Sequence, residues 1–479
     1  MTERSVDIAI IGAGTAGMAA YREARKFTDS IALIEGGPFG TTCARVGCMP
    51  SKLLIAPAEA RHRLQALPEF GISTDAGKVD GRAVMRRVRE ERDRFVGFVE
   101  DAVDGFDQNH IVRTTARFED DHTLALDDGG KILAKRVVIA AGSRTNVPPP
   151  FEAAGDRLIV NDDVFDWEDL PGSVAVFGAG VIGLELGQAL HRLGVRVRLF
   201  GQDNLVGPLG DPEVRAYAAS AIGTEMPTAL DAKDTEIAKD GENVVVRFTD
   251  GNGQRQEERF DYLLAATGRR ANVDTLGLDK TSLKLDRRGV PVSDAMSMQA
   301  GDSHIFIAGD ATVDLPLLHE AADEGRLAGE NAGRYPEVFK RARRAPLGIV
   351  FTDPQIAVVG QSYRDLADRV EEIAIGEVSF EDQGRARVML ANKGLLRVYG
   401  ERTTGLLLGA EMMAPGAEHL AHLLAWSIQS RLTVAEVLER PFYHPVLEEG
   451  LRTALRTLHH ALGMGAPAPL RCIDCGPGG

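Results

Sequence analysis

Five short apolar runs along this chain each stop at a glycine: "VDIAIIGAG" from Val6, "RVVIAAG" from Arg136, "SVAVFGAG" from Ser173, "YLLAATG" from Tyr262 and "HIFIAGD" from His304. Unbroken apolar runs of this length predict strands buried on both faces, as in a parallel sheet covered by helices. In an open, doubly wound sheet the loops at the carboxyl ends of such strands hold the ligands. Two of the runs open near-repeats. "IIGAGTAGMAA" sets Gly12, Gly14 and Gly17 between a strand and a helix, and "VFGAGVIGLELG" does the same with Gly178, Gly180 and Gly183. Each is followed by a second strand pattern, "SIALIEGG" and "VRVRLFGQ".

From about residue 345 the texture changes. "VSFEDQGRARVMLANKGLLRVYGERTTGLLLGAEMM" reads as antiparallel strands with turns at Asn392–Gly394 and Thr403–Gly405, and amphipathic helices follow to about Leu462. The pattern predicts an α/β chain: two Rossmann-like dinucleotide-binding domains plus an α+β domain with an antiparallel sheet. Its expected divisions are 1–149 (first dinucleotide-binding part), 150–273 (second dinucleotide-binding domain), 274–344 (return to the first), 345–463 (α+β domain) and 464–479 (a flexible Gly/Pro/Ala-rich tail). The proline-rich "NVPPPFEAAGD" is the expected connector between the two dinucleotide-binding units.

Charge narrows the possible partners. With 70 acidic against 55 basic side chains the formal net charge is −15, and no basic block offsets it, so nucleic acid is not an expected partner. No apolar run approaches the roughly 18 residues of a membrane span. "MTERSVDIAIIGAG" does not begin as a signal peptide does, and the chain reads as cytoplasmic.

A lone GxGxxG is weak evidence, but two in strand–loop–helix–strand context indicate two dinucleotide sites. The glycines let the backbone approach a pyrophosphate, which rests on the N-terminus of the following helix. An acid at the end of the second strand then holds a ribose hydroxyl. In the first unit this is Glu35; the matching position of the second is Gly201, followed by Gln202 and Asp203. Selection for NAD over NADP is weakened there. No Arg or Lys follows at once to hold a 2′-phosphate, so NAD is the expected second cofactor, with NADP not excluded.

Two of the four cysteines, Cys43 and Cys48, fall in "GTTCARVGCMPSK", just after the first unit's second strand. On an ideal helix, residues five apart would have Cα atoms about 8 to 9 Å apart, beyond the roughly 7 Å limit for a disulfide. A bond between them requires the segment to bend or to start its helix between them. Gly47 gives that freedom, and Pro50 discourages a regular helix through the site. Free packed thiols and metal ligation are the competing readings; the only other cysteines, Cys472 and Cys475, are far away in the tail. Position beside a dinucleotide loop favours redox work.

Together these residues resemble the flavin-dependent pyridine nucleotide–disulfide oxidoreductases, most closely the branch that oxidises dihydrolipoyl groups. "TTCARVGCMPSK" is similar to the family's active-site motif, "IFIAGDAT" to its second FAD motif, "FTDPQIAVVG" to the start of its dimerisation domain and "HPVLEEG" to its catalytic histidine segment. The resemblance runs from about residue 5 to 462 in the family's order. It implies FAD at Gly12, Gly14, Gly17 and Glu35, with Asp310 on the ribityl chain, and the nicotinamide cofactor at Gly178, Gly180 and Gly183. Gly142 and Gly268 belong to the same cofactor-binding set. Cys43 and Cys48 become a redox disulfide, Cys48 facing the flavin and Cys43 exchanging with substrate. Lys52 is expected beside the flavin, paired with Glu185. His444 is expected to act as acid–base for Cys43 across a homodimer interface, with Glu449 as its orienting partner; Glu448, one helical turn on from His444, is the alternative. The implied substrate is a lipoyl-bearing carrier protein or small dithiol, and the implied acceptor NAD. No metal site is expected.

The chain also departs from the family's pattern. "AAGS" at Ala140 stands where relatives usually read Ala-Thr-Gly, and Val446 replaces the usual threonine after His-Pro. Cys472 and Cys475 in "RCIDCG" resemble the tail pairs of mercuric reductases and the larger thioredoxin reductases. They supply the alternative function, an NAD(P)H-dependent disulfide or mercuric reductase using the tail as a relay. Mercuric reductases usually lack the histidine that stands here at 444.

Overall fold

The structure, a computed structural model, describes residues 3–73 and 77–464. The tail cysteines Cys472 and Cys475 lie outside the described residues. Each of the five glycine-ended runs forms a strand, and register aligns their carboxyl ends. In the first sheet Glu3–Ile11 lies parallel between Ile31–Ile34 and Lys131–Ile139, with Ile11 opposite both Ile34 and Ile139. Ile305–Ile307 joins this sheet late in the chain, with Ile307 opposite Ile139. Gly12, Glu35, Ala140 and Ala308 therefore leave the sheet along one edge, the edge where such sheets bind ligands.

The second sheet repeats the arrangement. Ser173–Phe177 lies parallel between Arg196–Phe200 and Tyr262–Ala265, with Phe177 opposite Phe200 and Ala265. Three antiparallel strands, Lys233–Asp240, Asn243–Thr249 and Arg255–Phe260, pack on this unit. The expected connector is no free linker. Pro149–Arg157 forms a 3₁₀ helix whose Phe151 and Ala154 are buried in the second unit's core. Two apolar side chains in that segment outweigh its prolines.

The third sheet is wholly antiparallel: Leu347–Val350, Gln355–Gly360, Leu407–Ala414, Leu395–Glu401 and Ile373–Ser379, side by side in that order. The stretch expected to be strand throughout contains a short helix, Gly384–Val388, capped by Gln383, whose side chain accepts from Ala386 N at 2.7 Å. Helices Ala417–Gln429 and Glu448–Leu462 pack on this sheet.

One core joins all three units. Leu54, Ile55 and Ala58, on the helix that begins at Cys48, pack in one cluster with Leu184, Leu186 and Leu190 of the second unit and Val350, Ile356 and Met413 of the third. Burying each large member contributes about 1.5–3 kcal/mol. The cysteine helix is thus held on a rigid support.

Candidate active site

The two glycine loops have the same steric logic. A Cβ on Gly12 would lie 2.3 Å from Ala140 O, and one on Gly17 1.8 Å from Gly12 O. The middle glycine differs. A Cβ on Gly14 would meet nothing within 4 Å, although Gly14 caps the helix Thr15–Ala24 and offers its N-terminal N–H groups no side-chain acceptor. Gly178, Gly183 and Gly180 repeat these relations, with Gly180 at the head of Val181–Arg192. Each helix end is a cradle lined by backbone donors and the positive end of a dipole, which fits a pyrophosphate. The residues present fit both dinucleotides.

Glu35 lies against the first cradle, its carboxylate accepting from Ala13 N and Gly37 N, both at 2.8 Å. Gly201 has a packing cause: its Cβ would sit 3.1–3.3 Å from Leu230 Cδ2, Cα and O. Asp310 accepts from Ser143 Oγ at 2.8 Å, and Ser143 in turn accepts from Arg269 Nε at 2.8 Å. Gly142 and Gly268, both at positive φ, flank the antiparallel ladder Ser143–Thr145/Arg269–Ala271 that runs between the two nucleotide-binding units. Ser143 and Arg269 were not singled out in the sequence, since only the fold brings positions so far apart to Asp310.

The cysteine segment bends at Gly47. Cys43 lies in Thr42–Val46, capped by Thr41 Oγ1, which accepts from Ala44 N at 3.2 Å. Gly47 leaves helical conformation at φ −128° and ψ −116°, and a new helix starts at Cys48. Pro50 does not discourage that helix. It occupies the first turn, where the N–H it lacks would have no intrahelical partner.

Both cysteines are free thiols, and each shifts the titration of the other through a side-chain hydrogen bond. The contact separates them. Cys43 is pushed up, by this hydrogen bond first and burial second; Cys48 is lowered to about 7, by the Cys43 hydrogen bond first, with the Lys52 charge assisting against burial. In the reduced protein, thiolate absorbance is expected to appear with a midpoint near pH 7, and Cys43→Ala to raise that midpoint. A titration unmoved by Cys43→Ala would remove the hydrogen bond as its cause.

Lys52 Nζ contacts Glu185 Oε1 at 2.9 Å and Oε2 at 2.8 Å. Glu185 is 4% exposed and also accepts from Ser51 Oγ at 3.3 Å and Phe351 N at 3.0 Å. An ammonium bridged to a buried carboxylate here links the cysteine helix to the second unit.

On the third unit, His444 Nδ1 bonds Glu449 Oε1 at 2.9 Å, and Glu449 Oε2 accepts from Val446 N at 3.2 Å. The imidazole is exposed and the carboxylate buried, at 69% and 7% of side-chain area. The helix begins at Glu448, so His444 lies in irregular chain and the i,i+4 spacing toward Glu448 does not apply. Glu448 instead lines an apolar groove of about 540 Å³ with Leu423, Trp426, Phe442 and Tyr443. Among the described residues no group of three or more His, Cys, Asp and Glu could hold a metal ion, and no helix is long and apolar enough to cross a membrane.

Residues 6–325 match the pyridine nucleotide-disulphide oxidoreductase family, and residues 347–455 match that family's dimerisation domain. The chain belongs to this family, whose members contain FAD and work with NAD(P)H. It is 30% identical to the dihydrolipoyl dehydrogenase of Haloferax volcanii over 464 residues, 94% of this chain and 95% of that one. It is 32% identical to the mercuric reductase of Streptomyces lividans over 469 residues, covering 94% and 96%. The fold is that of the HOCl-induced flavoprotein disulfide reductase RclA of Escherichia coli, with TM-score 0.79 at 21% identity over 95% of this chain and 99% of that one.

Proposed function

We propose that this chain is a dithiol–disulfide oxidoreductase that oxidises dihydrolipoyl groups through Cys43 and Cys48 and delivers the electrons to NAD. The observation that carries the choice of a dithiol is the His444–Glu449 pair, an exposed imidazole tied at Nδ1 to a buried carboxylate. Such a pair fixes the tautomer and stabilises the protonated ring.

The asymmetry between the sulfurs supports a division of roles. In disulfide exchange the thiol of lower pKa leaves faster, so a substrate thiolate attacks the Cys43 sulfur of the oxidised pair and Cys48 departs as thiolate. The mixed disulfide at Cys43 is then displaced by the substrate's second thiol, which gives up its proton to His444 of the partner subunit. That imidazolium protonates Cys43 as it leaves. The products are a cyclic disulfide, a Cys43 thiol and a Cys48 thiolate, so two electrons have entered the protein. Bound FAD supplies the two-electron carrier between this pair and the nicotinamide. Lys52 holds positive charge beside Cys48, and Gly14 and Gly180 hold the two pyrophosphates. The groove beside His444, with Trp426 65% and Tyr443 79% exposed, is the face that a second copy covers. Asp203, in exposed chain two residues past Gly201, disfavours a 2′-phosphate and supports NAD over NADP.

The Streptomyces lividans relative's name favours a second reading, NAD(P)H-driven reduction of a disulfide or of mercuric ion with the tail pair as relay. One assay separates the two. Steady-state rates are measured with NAD(H) and NADP(H) against dihydrolipoamide, glutathione disulfide, thioredoxin and mercuric ion, on the full chain and on a chain ending before Cys472. Dihydrolipoamide with NAD is expected to give the highest kcat/KM, unchanged by truncation. A dominant mercuric or disulfide activity lost on truncation would reverse the assignment.

A further inference from the structure

The strand Leu347–Val350 delivers Phe351 to the Lys52–Glu185 pair. Its N–H donates to Glu185 Oε1 at 3.0 Å, and its ring centroid lies 4.3 Å from Lys52 Nζ. One residue of the dimerisation domain touches both members of an ion pair that the other two units supply. Lys52 needs such a contact, because its flexible stem leaves the side chain 33% exposed. Two of the three ammonium donors go to Glu185, and the third reaches only weakly toward Ser51 Oγ at 3.4 Å. The negative face of the aromatic ring attracts the cation on a further side.

We infer that Phe351 is a positioning residue that fixes the Lys52 charge beside Cys48, so that the dimerisation domain helps stabilise the thiolate of the redox pair. The inference deepens the dithiol reading and rests on it for the use made of that thiolate. Within the chain the titratable groups that act on Cys48 are Cys43 on the preceding short helix, Lys52 on its own helix and Glu185 on the second unit, and the proposed dimer adds His444 of the partner subunit on the Cys43 side. Cys43 and Lys52 favour the thiolate, whereas Glu185 opposes it. Phe351 is uncharged, so its influence on Cys48 passes through Lys52 and Glu185.

The test is a thiolate titration of the reduced holoenzyme, read as the absorbance difference from Cys48→Ser. Phe351→Leu is expected to raise the midpoint by about half a pH unit, roughly a threefold fall in the acid constant. Phe351→Tyr, which keeps the ring, is expected to hold the wild-type midpoint. In a Lys52→Met background Phe351→Leu is expected to add nothing further. Phe351→Met, aliphatic and of similar volume, gives the same reading should the leucine variant fail to fold. A wild-type midpoint in the aliphatic variants, or an equal shift without Lys52, overturns the positioning role. Because the titration needs no turnover, loss of the dithiol mechanism would leave the Phe351 shift in place, and the two failures stay distinct.

Discussion

Replacing either Cys43 or Cys48 by serine is expected to abolish turnover of dihydrolipoamide, by roughly a thousandfold or more, while FAD stays bound and NADH still reduces artificial dyes. Serine is close in size to cysteine but cannot form the sulfur–sulfur bond through which the dithiol electrons must pass. The flavin cradle at Gly12, Gly14 and Gly17 contains neither cysteine, and the helix at Cys48 is anchored by Leu54, Ile55 and Ala58 deeper in the core. Binding and fold should survive. The measurement pairs dihydrolipoamide–NAD turnover with NADH–dye reduction on the same preparation. If either variant kept more than about a hundredth of the dithiol rate, the disulfide mechanism would be refuted.

His444→Gln is expected to slow the thiol half-reaction by about 10²–10⁴-fold and to leave reduction of the enzyme by NADH at its wild-type rate. Glutamine can keep a hydrogen bond to Glu449 but cannot take a proton from a substrate thiol, so the loss reports proton transfer rather than packing. Rapid-mixing measurements of each half-reaction, followed at the flavin absorbance, separate the effects. Equal slowing of both would remove the acid–base role. Glu449→Gln should show a smaller loss of the same kind, because the imidazolium loses its ionised partner while the contact at 2.9 Å can persist.

Strand existence was readable where a short apolar run stops at a glycine, as it does at Gly12, Gly142, Gly178, Gly268 and Gly309, and the repeat of the glycine loops identified both cradles. Short-range chemistry was readable too: the break at Gly47 follows from fitting two thiols five positions apart. What the sequence hid depends on distant neighbours. Pro149 and its companions looked like a linker until Phe151 found a core to fill. The choice of Glu449 over Glu448 turns on where the last helix begins, and that boundary is not marked by Pro445. Phe351 reads as an ordinary apolar residue after a strand, since its ion-pair neighbours Lys52 and Glu185 lie in two other parts of the chain.

The close approach of Gly201 to Leu230 also constrains this lineage's history. Placing at 201 the acid that the matching strand end of the first unit carries at Glu35 would require Leu230, just after Thr228–Ala229, to give by a few tenths of an ångström. A drift in coenzyme preference meets less steric resistance at positions 202 to 204, where side chains are exposed. Substitutions should accumulate there before one at 201 in descendants that change their nicotinamide partner.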